Sequence, residues 1–158
     1  MEFEHAENLG KEIIALLVRH VERAEIAGSV RRRRPQVNDL DIVVIPKMWM
    51  WSSIPAALES SDLKFVRGKD ELLTFVRYLD NFTVDIYRAS PQTWGTLLLI
   101  RTGSKMHNVK LCVRARELGL MLSAKKGVLH QGIVIASRTE EEIFKALQMD
   151  FIPPELRI

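Results

Sequence analysis

The segment Asp39-Leu40-Asp41-Ile42-Val43-Val44-Ile45 restricts the fold of this chain more than any other. Leu40 to Ile45 is a largely β-branched run that reads as a strand, and along a strand successive side chains alternate between faces. Asp39 and Asp41 therefore share one face, while Leu40, Ile42 and Val44 share the other. The strand must lie in a sheet with a core on one side and two carboxylates in one small volume on the opposite side. Phe82 to Tyr87 reads as a second strand, in which Asp85 faces away from Phe82, Val84 and Ile86. Asp85 joins the first two carboxylates if the strands are neighbours. Three clustered carboxylates repel one another, a cost that a divalent cation removes. Magnesium suits hard oxygen ligands, keeps water positions open and lets phosphate oxygens complete its shell. For the Asp39–Asp41 pair alone, an acidic sheet edge that resists aggregation is the competing reading.

The residues upstream shift that balance. Gly28-Ser29 follows a short strand, Ala24 to Ala27, and precedes a short helix. A glycine there permits close backbone approach to a phosphate, and the serine hydroxyl and exposed N–H groups donate to it. Arg31 to Arg34 add guanidinium forks suited to phosphate, although an arginine run alone is also a common solvated patch. Phosphate grip and carboxylate pair, ten and twelve residues apart, are together what phosphoryl transfer needs.

With 158 residues, 47% hydrophobic and 27% charged, the chain can bury a core without disulfides or a structural metal. Cys112 is the one cysteine, and His5, His20, His107 and His130 are scattered, which excludes a cysteine-stapled secreted fold and a Cys/His zinc site. The longest apolar runs, Ile42 to Ile45 and Leu97 to Ile100, are far too short to span a bilayer, and Met1-Glu2-Phe3-Glu4 lacks the basic start of a signal peptide. No membrane association is expected, and the expected location is the cytoplasm with the nucleoid, or otherwise inside the cell. The net charge is only +3. From Ile86 to Arg138, however, nine basic residues face Glu117 alone, and the pI is about 9.2. Such a block reads as a polyanion-binding face or as a solvated helix surface.

The expected elements are an amphipathic helix carrying Leu9, Ile13, Leu16, Leu17 and His20-Val21, the three strands above, a helix at Ile54 to Leu58, and strands at Leu63-Val66 and Glu71 to Leu79, with a hairpin at Asp80-Asn81. From Pro91 the pattern turns helical, breaks at Thr102-Gly103-Ser104, and continues helical to about Leu118. Short strands at Leu120-Leu122, Val128-Leu129 and Ile133-Ile135 precede a helix, Glu140 to Leu147, capped by Thr139. The fold class is α+β, a mixed sheet with flanking helices followed by a small helix-rich region with short strands. Trp49 and Trp51 read as packing aromatics or as base-stacking platforms, Trp94 as core and His107 as a helix-surface residue.

Ala27-Gly28-Ser29-Val30-Arg31-Arg32, Asn38-Asp39-Leu40-Asp41 and Val84-Asp85-Ile86 together resemble the palm of the family X DNA polymerases, relatives of DNA polymerase beta. Thr102-Gly103-Ser104-Lys105 with His107-Asn108 resembles that family's thumb entry. Glu117-Leu118-Gly119-Leu120 resembles its next turn, and Phe151-Ile152-Pro153-Pro154-Glu155-Leu156-Arg157 its ending. The resemblance implies a nucleotidyltransferase palm over residues 1–98 and a thumb over 99–158, without the lyase and helix-hairpin-helix domains of most members. It implies that Asp39 and Asp41 bind two Mg2+ ions, with Mn2+ an acceptable substitute, and that Asp85 holds the ion that activates a primer 3′-hydroxyl. Gly28, Ser29 and Arg32 would grip the triphosphate, and Ile100, Arg101, Thr102, Gly103 and Asn108 would meet the nucleoside triphosphate from the thumb. Lys105, Lys110, Arg114, Lys125 and Lys126 are the candidate DNA contacts. The family's usual Tyr-Phe before Thr-Gly is here Ile100-Arg101, which implies weaker exclusion of ribonucleotides. Cys112 stands where an arginine is common, and Thr83 where larger polar residues are usual. The expected function is a monomeric minimal DNA polymerase that fills short gaps in primer-template or gapped DNA during repair. The alternatives are a template-independent nucleotidyltransferase acting on RNA, protein or a small molecule, and a catalytically idle DNA-binding accessory, which the presence of all three aspartates disfavours.

Overall fold

Five strands, Val21–Ile26 (β1), Asp39–Pro46 (β2), Leu63–Gly68 (β3), Leu72–Arg77 (β4) and Thr83–Arg88 (β5), form one sheet in the order β1-β2-β5-β4-β3. They belong to a computed structural model that describes every residue except Ser60. β2 and β5 pair parallel, and the other neighbours pair antiparallel. Leu40, Ile42 and Val44 of β2, Leu73 and Phe75 of β4, and Val84 and Ile86 of β5 fall on one face and are buried in a common core. Two helices add to that core: Phe3–Leu17 (α1), through Ala6, Ile13 and Leu17, and Ile54–Leu58, through its two terminal residues. Each fully buried Leu or Ile contributes roughly 1.5–3 kcal/mol. This half of the molecule is thus held by the face opposite the aspartates.

The first helix differs from its expected span. It begins at Phe3 rather than near Leu9, and Val21, expected in the helix, opens β1. The chain start is tied down: Phe3 N–H donates to Pro35 O at 3.2 Å and Val37 N–H donates to Met1 O at 2.9 Å. Those contacts lie more than thirty residues away in sequence and leave no mark on local periodicity. The buried stripe is Ala6, Gly10, Ile13 and Leu17, and it includes Gly10 because any Cβ there would overlap the Ile26 side chain.

The chain divides into two compact units, Met1–Ala89 and Ser90–Ile158. The second contains the helices Trp94–Thr102 (α4 in chain order, after the four-residue α2 at Gly28–Arg31 and α3 at Ile54–Leu58) and Lys105–Glu117 (α5). It continues with an antiparallel meander of Met121–Ser123 (β6), Gly127–His130 (β7) and Ile133–Ala136 (β8), then Glu140–Ala146 (α6). The division falls before α4, which lies whole in the second unit, whereas the boundary read from the sequence at 98/99 cuts this helix. Leu99, Leu111, Ala115, Val128, Ile143, Phe144 and Leu147 form the core of this unit. Thr139 caps α6, its side chain accepting from Glu142 N at 3.1 Å, as its position before an acidic first turn predicts. The chain end is locked by Arg157, which is fully buried: Nη1 donates to Glu140 Oε1 at 2.6 Å, Nε donates to Ile152 O at 2.8 Å, and the rings of Phe144 and Phe151 each lie 5.4 Å away. Among the described residues no helix is long and apolar enough to cross a membrane.

Candidate active site

The parallel pairing of β2 and β5 brings the three aspartates together. Asp41 and Asp85 are register partners across the two strands, and Asp39 lies two residues before Asp41 on the same face. Asp39 is exposed at the head of β2, and Asp41 and Asp85 are half-buried. On the other side of Asp85 its register partner is Thr74 of β4, whose Oγ1 donates to Asp85 Oδ1 at 2.7 Å. Tyr87, two residues on, donates its OH to Asp85 Oδ2 at 3.4 Å. Among the described residues no group of three or more His, Cys, Asp or Glu side chains is arranged to hold a metal ion as it stands. The donor set nevertheless has the chemistry of a hard-cation site, three carboxylates at adjacent register positions of one sheet face.

Gly28 opens α2 at φ +59°, and its missing Cβ leaves room for the Asp41 carboxylate, which a larger residue would strike. This glycine is therefore required twice, by backbone and by contact. Ser29 Oγ beside it is buried and makes no hydrogen bond, which leaves a hydroxyl donor for an incoming group. Arg32 closes α2 within the field of both Asp41 and Asp39, which pull its pKa up. Burial first and then Arg34 outweigh them and lower it below the ordinary guanidinium value. Arg32 thus offers that pair a counter-charge.

The remaining candidates lie in the second unit. Thr102 and Gly103 end α4 and are buried, Gly103 at φ +67°, while Ile100 is half-buried and Arg101 exposed. Ser104 caps α5 by accepting from His107 N at 3.2 Å, and Asn108 Nδ2 donates to Ile100 O at 2.9 Å, which ties α5 to the end of α4. Lys105 and Lys110 are exposed on α5, and Lys125 and Lys126 are exposed on a turn shaped by Ser123 Oγ, which accepts from both of their N–H groups. Arg114 is engaged inside the unit, donating from Nε to Leu147 O at 3.0 Å and from Nη1 to Glu117 at 3.3 Å.

His107, read as a surface residue, is 4% exposed, because α5 turns His107, Leu111 and Ala115 inward. Burial, followed by the Arg157 charge, lowers its pKa to about 4. Trp51 and Trp94 are buried, Trp51 with its Nε1 donating to Lys69 O, whereas Trp49 is 89% exposed on a turn at φ +65°. Thr74 and Tyr87 escaped the sequence reading. Tyr87 was findable from period-2 spacing after Asp85, but Thr74 depends on a strand register that sequence spacing does not define.

The mixed sheet with its aspartate face, followed by a helix-rich unit, gives the chain an α+β fold like that of polymerase beta. The family model described as DNA polymerase beta thumb matches residues 97–158. The DNA polymerase/3′-5′ exonuclease PolX of Bacillus subtilis (strain 168) is 29% identical over 147 residues, covering 87% of this chain and 25% of that protein. Among solved structures, polymerase beta of Leishmania infantum in a ternary P/T complex matches 100% of this chain and 76% of its own with a TM-score of 0.84 at 18% identity, a likeness of fold. Residues 97–158 thus carry a thumb sequence of the polymerase beta kind, and the chain is similar to DNA polymerases over most of its length. It spans about a quarter of the length of the curated relative it matches.

Proposed function

We propose that this chain is a magnesium-dependent DNA polymerase that adds nucleotides to a primer 3′-hydroxyl and fills short gaps in DNA. The observation that carries the proposal is the β2–β5 register, which sets Asp41 beside Asp85 with Asp39 on the same face. Asp39, Asp41 and Asp85 would hold two Mg2+ ions, which supply charge neutralisation at the attacking and leaving oxygens of an in-line displacement. The unpartnered Ser29 hydroxyl donates to the triphosphate, and the Arg32 guanidinium, already drawn to the aspartates, offers a planar fork to phosphate oxygens. Gly28 keeps the backbone close to Asp41, so phosphate grip and carboxylates form one cluster. For the second unit, the family resemblance supports contacts of Ile100 to Gly103 and Asn108 with nucleotide, and of Lys105, Lys110, Lys125 and Lys126 with DNA phosphates. Arg114 contributes to DNA binding only insofar as its internal hydrogen bonds leave it available.

Primer extension with Mg2+ and deoxyribonucleoside triphosphates on gapped, nicked and single-stranded DNA tests the reading. Template-directed addition that is fastest on the gapped substrate is expected. Addition that ignores template sequence, or that occurs on RNA but not on gapped DNA, would instead make this a template-independent nucleotidyltransferase.

A further inference from the structure

We infer that Thr74 is a positioning residue for Asp85, one of the three carboxylates that the proposed function makes Mg2+ ligands. Asp85 sits between two register partners of opposite character. Across β2 it faces Asp41, a like charge, and across β4 it faces Thr74, whose hydroxyl donates to Asp85 Oδ1 at 2.7 Å. A carboxylate on a short side chain turns over a broad torsional range, and repulsion from Asp41 would swing an untethered Asp85 away from the shared face. The Thr74 hydrogen bond opposes that swing, and the longer one from Tyr87 to Oδ2, at 3.4 Å, adds a second and weaker restraint. Thr74 itself is 6% exposed and β-branched in the middle of β4, so its rotamer is restricted by packing. Its hydroxyl is the polar interruption between Leu73 and Phe75, which face the opposite, core side. A rigid donor fixed by two strands is the kind of outer contact that holds a metal ligand in its working orientation.

The inference rests on the proposed metal role of Asp85, and the test separates the two. Mn2+ alone is the probe, its binding followed by the electron paramagnetic resonance signal of the free ion, beside primer extension and thermal unfolding. Thr74→Val removes the hydroxyl at nearly constant volume, and Thr74→Ser restores it. The expected result is Mn2+ affinity about 10- to 100-fold weaker in Thr74→Val, with kcat falling, nucleotide KM little changed and the melting temperature close to the parent's. Thr74→Ser should keep affinity and kcat within a few-fold of the parent, and Tyr87→Phe should show a smaller loss than Thr74→Val. Parent-like Mn2+ affinity in Thr74→Val would overturn the inference while leaving the proposed function standing. Equal losses in the Val and Ser variants, together with a lowered melting temperature, would overturn it too, by assigning Thr74 a packing role. If the parent protein itself neither binds Mn2+ nor extends a primer, the proposed function fails and the inference with it.

Discussion

At the scale of single residues, the protein holds ionisable groups under unlike constraints. Asp85 is restrained by two hydroxyl donors, Arg32 is placed against a pair of carboxylates, and His107 is sealed among the second unit's helices with Arg157 near it. His107 has a measurable consequence because burial lowers its pKa from the ordinary 6.5 to about 4. The unfolded chain takes up a proton near pH 6.5 and the folded one resists until about pH 4. The neutral imidazole's contribution is therefore fully present above pH 6.5 and is lost as pH falls through that window, by on the order of 3 kcal/mol in total. Melting temperatures of the parent and of His107→Leu, measured from pH 7 to pH 4, should show a steep acid limb in the parent and a shallower one in the variant. Parallel limbs would mean that His107 does not titrate in this way. Trp49 shows a constraint of another kind: a bulky residue at positive φ, nearly fully exposed, in a turn position that suits Gly or Asn.

At the scale of elements, close packing decides which residues can be small. Gly95 lies in the first turn of α4 against the backbone of Thr139, the cap of α6, so a Cβ there has no space and no flexible neighbour to displace. Helix propensity alone would make Gly95→Ala stabilising by up to about 1 kcal/mol, whereas overlap with fixed backbone should destabilise by about 3 kcal/mol. The sign of the change in urea midpoint decides between them, and a lower midpoint is expected. Much of the element layout was legible before the fold was known. The period-2 reading of Asp39, Asp41 and Asp85 placed each on the correct strand face, and the cap at Thr139, the three short strands and the helix after them fall where their turn residues indicate. What stayed hidden depends on partners distant in sequence. Periodicity does not reveal that β2 and β5 pair parallel, nor that Thr74 stands opposite Asp85. Hydrophobicity misleads on α5, where Met106, Val109 and Val113 are exposed and His107 is buried, because the inward face carries Leu111 and Ala115 together with His107, whose ring lies 6.0 Å from that of Phe144.

At the scale of the whole molecule, charge is divided between the two units: the carboxylates of the candidate site lie in Met1–Ala89, and the exposed lysines on α5 and the β6–β7 turn lie in Ser90–Ile158. If Lys105, Lys110, Lys125 and Lys126 each neutralise a phosphate, log affinity for gapped DNA should fall against log salt with a slope of roughly −3 to −4. The fourfold alanine variant should flatten that slope. A parent slope near zero would remove DNA from the role given to these residues. The central claim is that three aspartates on one sheet face drive nucleotidyl transfer, and it is tested most directly by Mg2+-dependent extension of a primer into a one-nucleotide gap, comparing the parent with Asp85→Asn. The account predicts template-directed addition by the parent and a loss of at least about 10²-fold in kcat/KM for the variant, with a melting temperature unchanged or raised by relief of the Asp41–Asp85 repulsion. Extension by Asp85→Asn within a few-fold of the parent would contradict it.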